Sequence, residues 1–366
     1  MSVYIFCIIW GVLFGLLVRN GRELLPWRKD NQYYYFEKRY YLKLLAGILS
    51  VLPCTYFAAM RQGIGTDYYY AYYPSFYKIM SGERVFSEWG FYMLNRIILF
   101  FTDNVQVLFF VTSVMTAAWI FGFMYKQSEN YAMSMYLMFA SQFYFVSLNN
   151  IRQCLSFAIS AYSLGKLEEK KYISFVLLNV LSGLMHQTGF IYLLLYFASK
   201  IKINVKAILI FTSVSGFFGY FVIQKMVDFL ALNTKLGDYF TYAMYTKSTI
   251  PLYCAAVQIG ILGFFLYGRW VNADRVKADT DIYIILQVCA VIICFADQMI
   301  PAAYRFLRLF SFFQIVSVPN CIAQFEKKEE RWIWTAVFLT AITFVCVLEI
   351  FIQGNEAILP YQMYRR

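Results

Sequence analysis

Uncharged apolar windows of roughly a bilayer's length recur along the whole chain: 1–18, 44–60, 105–125, 130–151, 153–165, 172–199, 207–224, 248–268, 282–296, 309–325 and 332–348. With 61% hydrophobic and 14% charged residues and a mean hydropathy of +0.55, the chain has more apolar surface than a water-soluble fold of 366 residues can bury. Backbone groups in hydrocarbon must find partners within the chain, and the windows lack the alternating pattern of a barrel. The prediction is an all-α polytopic integral membrane protein with about 11–13 transmembrane helices.

The net charge of +11 is distributed in a way that excludes nucleic acid as a partner. Basic residues sit in short loops: Arg19, Arg22, Arg28, Lys29, Lys38, Arg39 and Lys43; Lys166, Lys170 and Lys171; Lys200, Lys202 and Lys206; Arg269, Arg275 and Lys277; Lys327, Lys328 and Arg331. Short basic loops face the cytoplasm, which places both termini outside. The first window has no basic segment before it, so it is expected to remain as a membrane anchor rather than a cleaved signal. The eight cysteines lie in or beside apolar windows without a C-x-x-C pair, and read as core residues rather than metal ligands or disulfides.

This threading predicts one membrane domain over 1–366, with extracytoplasmic loops at 61–90 and 225–250. It also forces an unusual feature. Lys170-Lys171 and Lys200-Lys202 both belong inside, yet only 172–199 separates them. That stretch must go out and return, turning at Gly183-Leu184-Met185-His186-Gln187-Thr188-Gly189, with arms of about 12–14 residues or roughly 20 Å each. A hairpin or broken helix near His186 is therefore expected.

Most polar oddities then collect at the outer side: Arg61, Asp67, Glu88, Asn150, Arg152, Gln153, His186, Asp297, Arg305 and Arg308. Arg152 interrupts the nearly pure hydrophobe between Asn130 and Gly165, and an arginine there needs a partner or a cavity. Its planar fork suits phosphate. Arg305 and Arg308 are three apart and share a helix face. Each residue also has a structural reading. Arg61 can snorkel after its helix, and either of the Arg305–Arg308 pair can bind Asp297. His186 can bridge helices, Glu88 can be a solvated loop residue, and Tyr68, Tyr69, Tyr70, Tyr72 and Tyr73 can form an interfacial belt or stack on sugars. His186 stands without a second histidine or a cysteine cluster, so a metal site is not expected.

The blocks Arg61-x-Gly63-x-Gly65-Thr66-Asp67-Tyr68, Glu88-x-Gly90-Phe91, Ser147-Leu148-Asn149-Asn150-Ile151-Arg152-Gln153, Met185-His186-Gln187-Thr188, and Arg305 followed by Pro319 occur in this order. Together they resemble the EpsG family of Wzy-like bacterial polysaccharide polymerases, over about residues 1 to 325. Thr188 departs from the expected serine but keeps the hydroxyl, and the span 332–348 carries no matching residue. The resemblance implies a GT-C-like membrane glycosyltransferase of the bacterial cytoplasmic membrane. It would join oligosaccharide repeat units carried on undecaprenyl pyrophosphate at the outer face, without metal, nucleotide or other cofactor. Partners implied are the lipid-linked oligosaccharide, the bilayer, and the flippase and chain-length regulator of the pathway.

In that reading Arg152 and Arg305, with Arg61, hold the donor pyrophosphate rather than a structural carboxylate, and Arg308 adds to that binding. Glu88 or His186 takes the acceptor proton. Asp67, Tyr68, Asn150 and Gln153 bind or orient substrate. Two other classes stay open: a lipid-linked-sugar flippase, expected to spread its charges through the membrane with inverted repeats, and a membrane acyltransferase using His186.

Overall fold

The computed structural model describes residues 1–18, 38–215, 225, 229, 250–271, 279–298, 300 and 302–364. Much of the expected loop 225–250, and the basic residues Arg19, Arg22, Arg28, Lys29, Arg275 and Lys277, lie outside the described residues. The protein is an all-α polytopic membrane protein. Among the described residues the only β pairing is an isolated antiparallel bridge between Arg61 and Met363.

Among the described residues, four helical stretches are long and apolar enough to cross a bilayer: Tyr41–Ala59, Gln106–Gln127, Leu252–Val271 and Lys328–Ile352. The pair Ala303–Ser311 and Gln314–Ala323, bent by 40°, can form one more span. Shorter apolar helices stand beside them, so the number of crossings is not read from length alone. Contacts divide the chain into two compact units, Met1–Tyr196 with Ala336–Arg366, and Phe197–Thr335.

The first unit contains α1 (Ser2–Val18), α2 (Lys38–Ala59), a π-helical turn Tyr68–Tyr72 leading into α3 (Tyr73–Met80), α4 (Trp89–Phe101), α5 (Gln106–Gln127), α6 (Tyr131–Ala140), α7 (Phe143–Asn149), α8 (Ile151–Glu168) and α9 (Tyr172–Met185). Helix α1 is apolar all round, and small residues lie on its buried face. In α1 the buried positions are Tyr4, Cys7, Gly11, Gly15 and Val18, while Leu13, Leu16 and Leu17 point outward. A side chain at Gly15 would touch the Ala132 backbone at 3.0 Å, so the glycine lets α6 approach closely, as lipid-embedded helices require.

Two expectations change. The segment 61–90 is not a plain solvated loop. Tyr68, Tyr72, Phe76 and Ile79 follow helical spacing and sink into one core with Phe91, Phe109, Ile151, Leu155 and Met185. The window 130–151 is not a single span: Gln142 adopts a left-handed conformation (φ 68°) and Asn150 breaks the chain again. Gln142 hydrogen-bonds Glu349, buried in the last span, at 3.0 Å, which compensates a carboxylate that would be costly alone. The apolar helix α4 follows Glu88 and carries Arg96 within it.

The predicted break near His186 is present. Helix α9 stops at Met185, His186 is extended, and a 3-10 helix follows over Gln187–Leu194. The two glycines allow the return arm to pack against the outgoing one. A Cβ at Gly189 would lie 2.3 Å from Ser182 Oγ, and one at Gly183 would lie 2.5 Å from the Phe190 ring.

The second unit carries a buried amide cluster. Gln287 donates to Gln258 Oε1 at 3.0 Å, and Gln314 donates to Gln258 Oε1 at 2.5 Å and Gln287 Oε1 at 2.9 Å. Three helices are thereby cross-linked by polar side chains in an apolar interior.

Candidate functional site

Glu88 precedes α4, and Gly90 decides what lies against it. A Cβ at Gly90 would sit 2.8 Å from Leu184 Cβ and 2.9 Å from its carbonyl oxygen, so only glycine lets α4 begin against the tip of α9. The first turn of α8 brings Arg152 to the same place. Its Nη1 donates to Glu88 Oε2 at 2.6 Å, with the carboxylate side chain 6% exposed and the guanidinium 26%. The guanidinium also lies 4.7 Å from the Phe86 ring centroid and 5.9 Å from that of Phe91.

Within the protein Arg152 meets a structural carboxylate, that of Glu88. A carboxylate this deep in an apolar setting requires a paired cation, and α8 supplies it. Ser87 Oγ donates to the same Oε2 at 3.0 Å. Arg152 Nε, buried, has no hydrogen-bond partner.

The hairpin tip stands beside this pair. Gln187 Nε2 donates to Ser87 Oγ at 3.3 Å, joining the residue after His186 to the residue before Glu88. His186 Nδ1 lies 2.7 Å from Thr188 Oγ1 and accepts from Thr188 N–H at 3.4 Å. These two contacts with Thr188 orient the imidazole ring at the hairpin tip. The hydroxyl at position 188 therefore has a structural use that serine or threonine serves equally.

Under the hairpin runs a ladder of buried serines not singled out from the sequence. Ser182 Oγ meets both Ser156 Oγ and Ser160 Oγ at 2.7 Å, and Ser182 also donates to the Ser156 carbonyl at 2.8 Å. Asn179 continues it to Ser163 at 2.8 Å. The signal was present, since Ser156, Ser160 and Ser163 recur at helical spacing in an apolar run.

Arg61 takes a different place from Arg152. Its side chain is 1% exposed, donates to the Ala58 carbonyl and to Ser113 Oγ at 3.2 Å, and lies 4.9 Å from the Phe109 ring centroid. Its Nε and Nη2 have no hydrogen-bond partner. It is neither snorkelling nor solvated. It lines a small cavity of about 30 Å³ together with Thr55, Thr112, Ser113, Thr116, Tyr144 and Ser147.

Gly63 and Gly65, both at positive φ (63° and 86°), form the tight loop expected of them. Asp67 leads into the π-helical turn, and its backbone N–H donates to Asn149 Oδ1 at 2.9 Å. Tyr68, expected to bind substrate, instead stacks on Phe109 at 4.3 Å and is 3% exposed, because it begins the buried stripe. Tyr69, Tyr70 and Tyr73 are the outward aromatics of the run, Tyr70 the most exposed at 87%. Asn150 links α7 to α8 and Gln153 is buried in the first turn of α8. Arg305, exposed, and Arg308, 4.7 Å over the Tyr304 ring, belong to the second unit. Asp297 there accepts from Ile250 N–H at 3.0 Å.

Comparison with curated proteins and with solved structures gives no match. The model of the EpsG family matches residues 44–363, which covers most of the chain and runs through the C-terminal tail that the motif resemblance did not reach. The chain belongs to the EpsG family.

Proposed function

We propose that this protein is a polysaccharide polymerase. In this reading it is a membrane glycosyltransferase that joins undecaprenyl-pyrophosphate-linked repeat units at the outer face of a bacterial cytoplasmic membrane. The observation that carries this reading is the Glu88–Arg152 pair against the His186 hairpin, which brings a carboxylate, a cation and an imidazole to one place. Membership of the family supports the polysaccharide assignment.

The acceptor hydroxyl attacks the anomeric carbon of the donor sugar, and the bond from that carbon to the pyrophosphate oxygen breaks. Glu88 takes the hydroxyl proton while Arg152 and Ser87 hold Oε2. His186 donates to a sugar or phosphate oxygen, and Arg152 stabilises charge developing on the leaving pyrophosphate. Arg61, whose buried N–H groups face a cavity without a carboxylate partner, suits the phosphates of the donor. Arg305 and Arg308 remain expected contributors to donor binding.

Purified protein reconstituted in vesicles with a lipid-linked repeat unit separates the classes. A ladder of products on a gel is the expected result. Translocation of the lipid-linked sugar without a ladder would mean a flippase, and acylated sugar an acyltransferase.

A further inference from the structure

Beyond its last helix the chain returns to the loop that carries Arg61 and Asp67. Tyr364 N–H donates to the Met60 carbonyl at 2.7 Å, Gln62 N–H to the Gln362 carbonyl at 3.0 Å, and Gly65 N–H to the Ala357 carbonyl at 3.2 Å. Two tyrosine hydroxyls fasten the same tail: Tyr4 to the Ile358 carbonyl at 2.9 Å and Tyr361 to the Phe57 carbonyl at 3.0 Å. Glu356 and Ala357 both hold positive φ (74° and 49°), a backbone that non-glycine residues keep only where surrounding contacts over-determine it.

The tail's polar contact with the centre is the Glu356 carboxylate, which accepts from Asn149 Nδ2 at 2.7 Å. That bond fixes which way the Asn149 amide faces. Its Oδ1 is turned to the Asp67 N–H at 2.9 Å and the Thr66 hydroxyl at 3.3 Å, where the π-helical turn begins. The turn ends at Tyr72, whose hydroxyl accepts from Arg152 N–H at 3.5 Å. Asn149 also closes α7, just before the break from which α8 and Arg152 start. One carboxylate thus braces both sides of the frame in which Arg152 meets Glu88.

We propose that the C-terminal tail is a positioning element of the reaction centre, with Glu356 acting through Asn149 on the Thr66–Tyr72 turn and Arg152. The inference rests on the polymerase reading above. Glu356 touches no reacting group, so its loss acts on turnover through geometry, where small misplacements are expensive.

The test uses full-length protein in vesicles with a lipid-linked repeat unit, reading kcat and KM, together with thermal unfolding in detergent and hydrogen exchange of peptides within 62–73. Glu356→Ala should lower kcat about tenfold to a hundredfold, leave KM and the unfolding temperature near wild type, and raise exchange in 62–73. Glu356→Gln should retain most of the activity, because its amide oxygen still accepts from Asn149. Asn149→Asp sets two carboxylates together and should lose activity, and adding Glu356→Gln to it should restore turnover by reversing the donor and acceptor. Wild-type kcat from Glu356→Ala, or a loss that only follows the unfolding temperature, overturns the tail's role. Wild-type protein run alongside keeps the two claims apart: no product ladder from wild type sinks the polymerase reading itself.

Discussion

Arg152 was legible as a functional residue because a charge inside so long an apolar stretch requires an explanation, but its partner was not. Glu88 lies 64 positions away, and its approach depends on Gly90 seating α4 against Leu184, a contact that sequence spacing does not encode. The pair assigns roles. Glu88→Gln keeps the shape and the bond from Ser87 but removes the base, so kcat should fall by about 10²–10⁴ with lipid-linked substrate still bound. Turnover equal to wild type in that variant would remove Glu88 from the chemistry. Arg61 was legible as a charge at a helix end and illegible as a buried one, because its cavity is built by α2, α5, α7 and α8 together. Tyr68 and Tyr70 look alike in the sequence, and only the stripe through Tyr72 and Phe76 tells which of the two turns inward.

At the scale of elements, the hairpin was the most readable feature. Two basic loops with too little chain between them required a break, and its glycines marked where. What the sequence left open was how closely the arms pack, which depends on Ser156, Ser160 and Ser182 filling the seam with hydroxyls rather than side-chain bulk. Gly189→Ala should therefore force the arms apart, since its methyl would meet Ser182 Oγ, Ser156 Oγ and the Gly183 nitrogen all within 2.6 Å. Overpacking of that kind costs about 1–3 kcal/mol, so the unfolding temperature should drop, and activity should drop with it as Gln187 leaves Ser87. An unchanged unfolding temperature would contradict the close packing of the arms. The breaks at Gln142 and Asn150 were less readable, because neither glycine nor proline marks them and Gln142 draws its partner, Glu349, from the far end of the chain.

For the whole molecule, the class followed from hydropathy and the family from five ordered blocks, and both hold. The blocks end near residue 325, so the return of the C-terminal tail to the loop of Arg61 had no sequence signal: it is made mainly of backbone hydrogen bonds, which any side chains can accompany. The central claim is that an integral-membrane reaction centre built on Arg152 and Glu88 extends a polysaccharide. It is tested most directly by the polymer made from a lipid-linked repeat unit in vesicles containing purified Arg152→Ala protein, normalised to inserted protein and set beside wild type. The account predicts a product ladder from wild type and a rate lower by about 10²–10³ from the variant, with equal insertion. Polymer of wild-type length and yield from Arg152→Ala would contradict it.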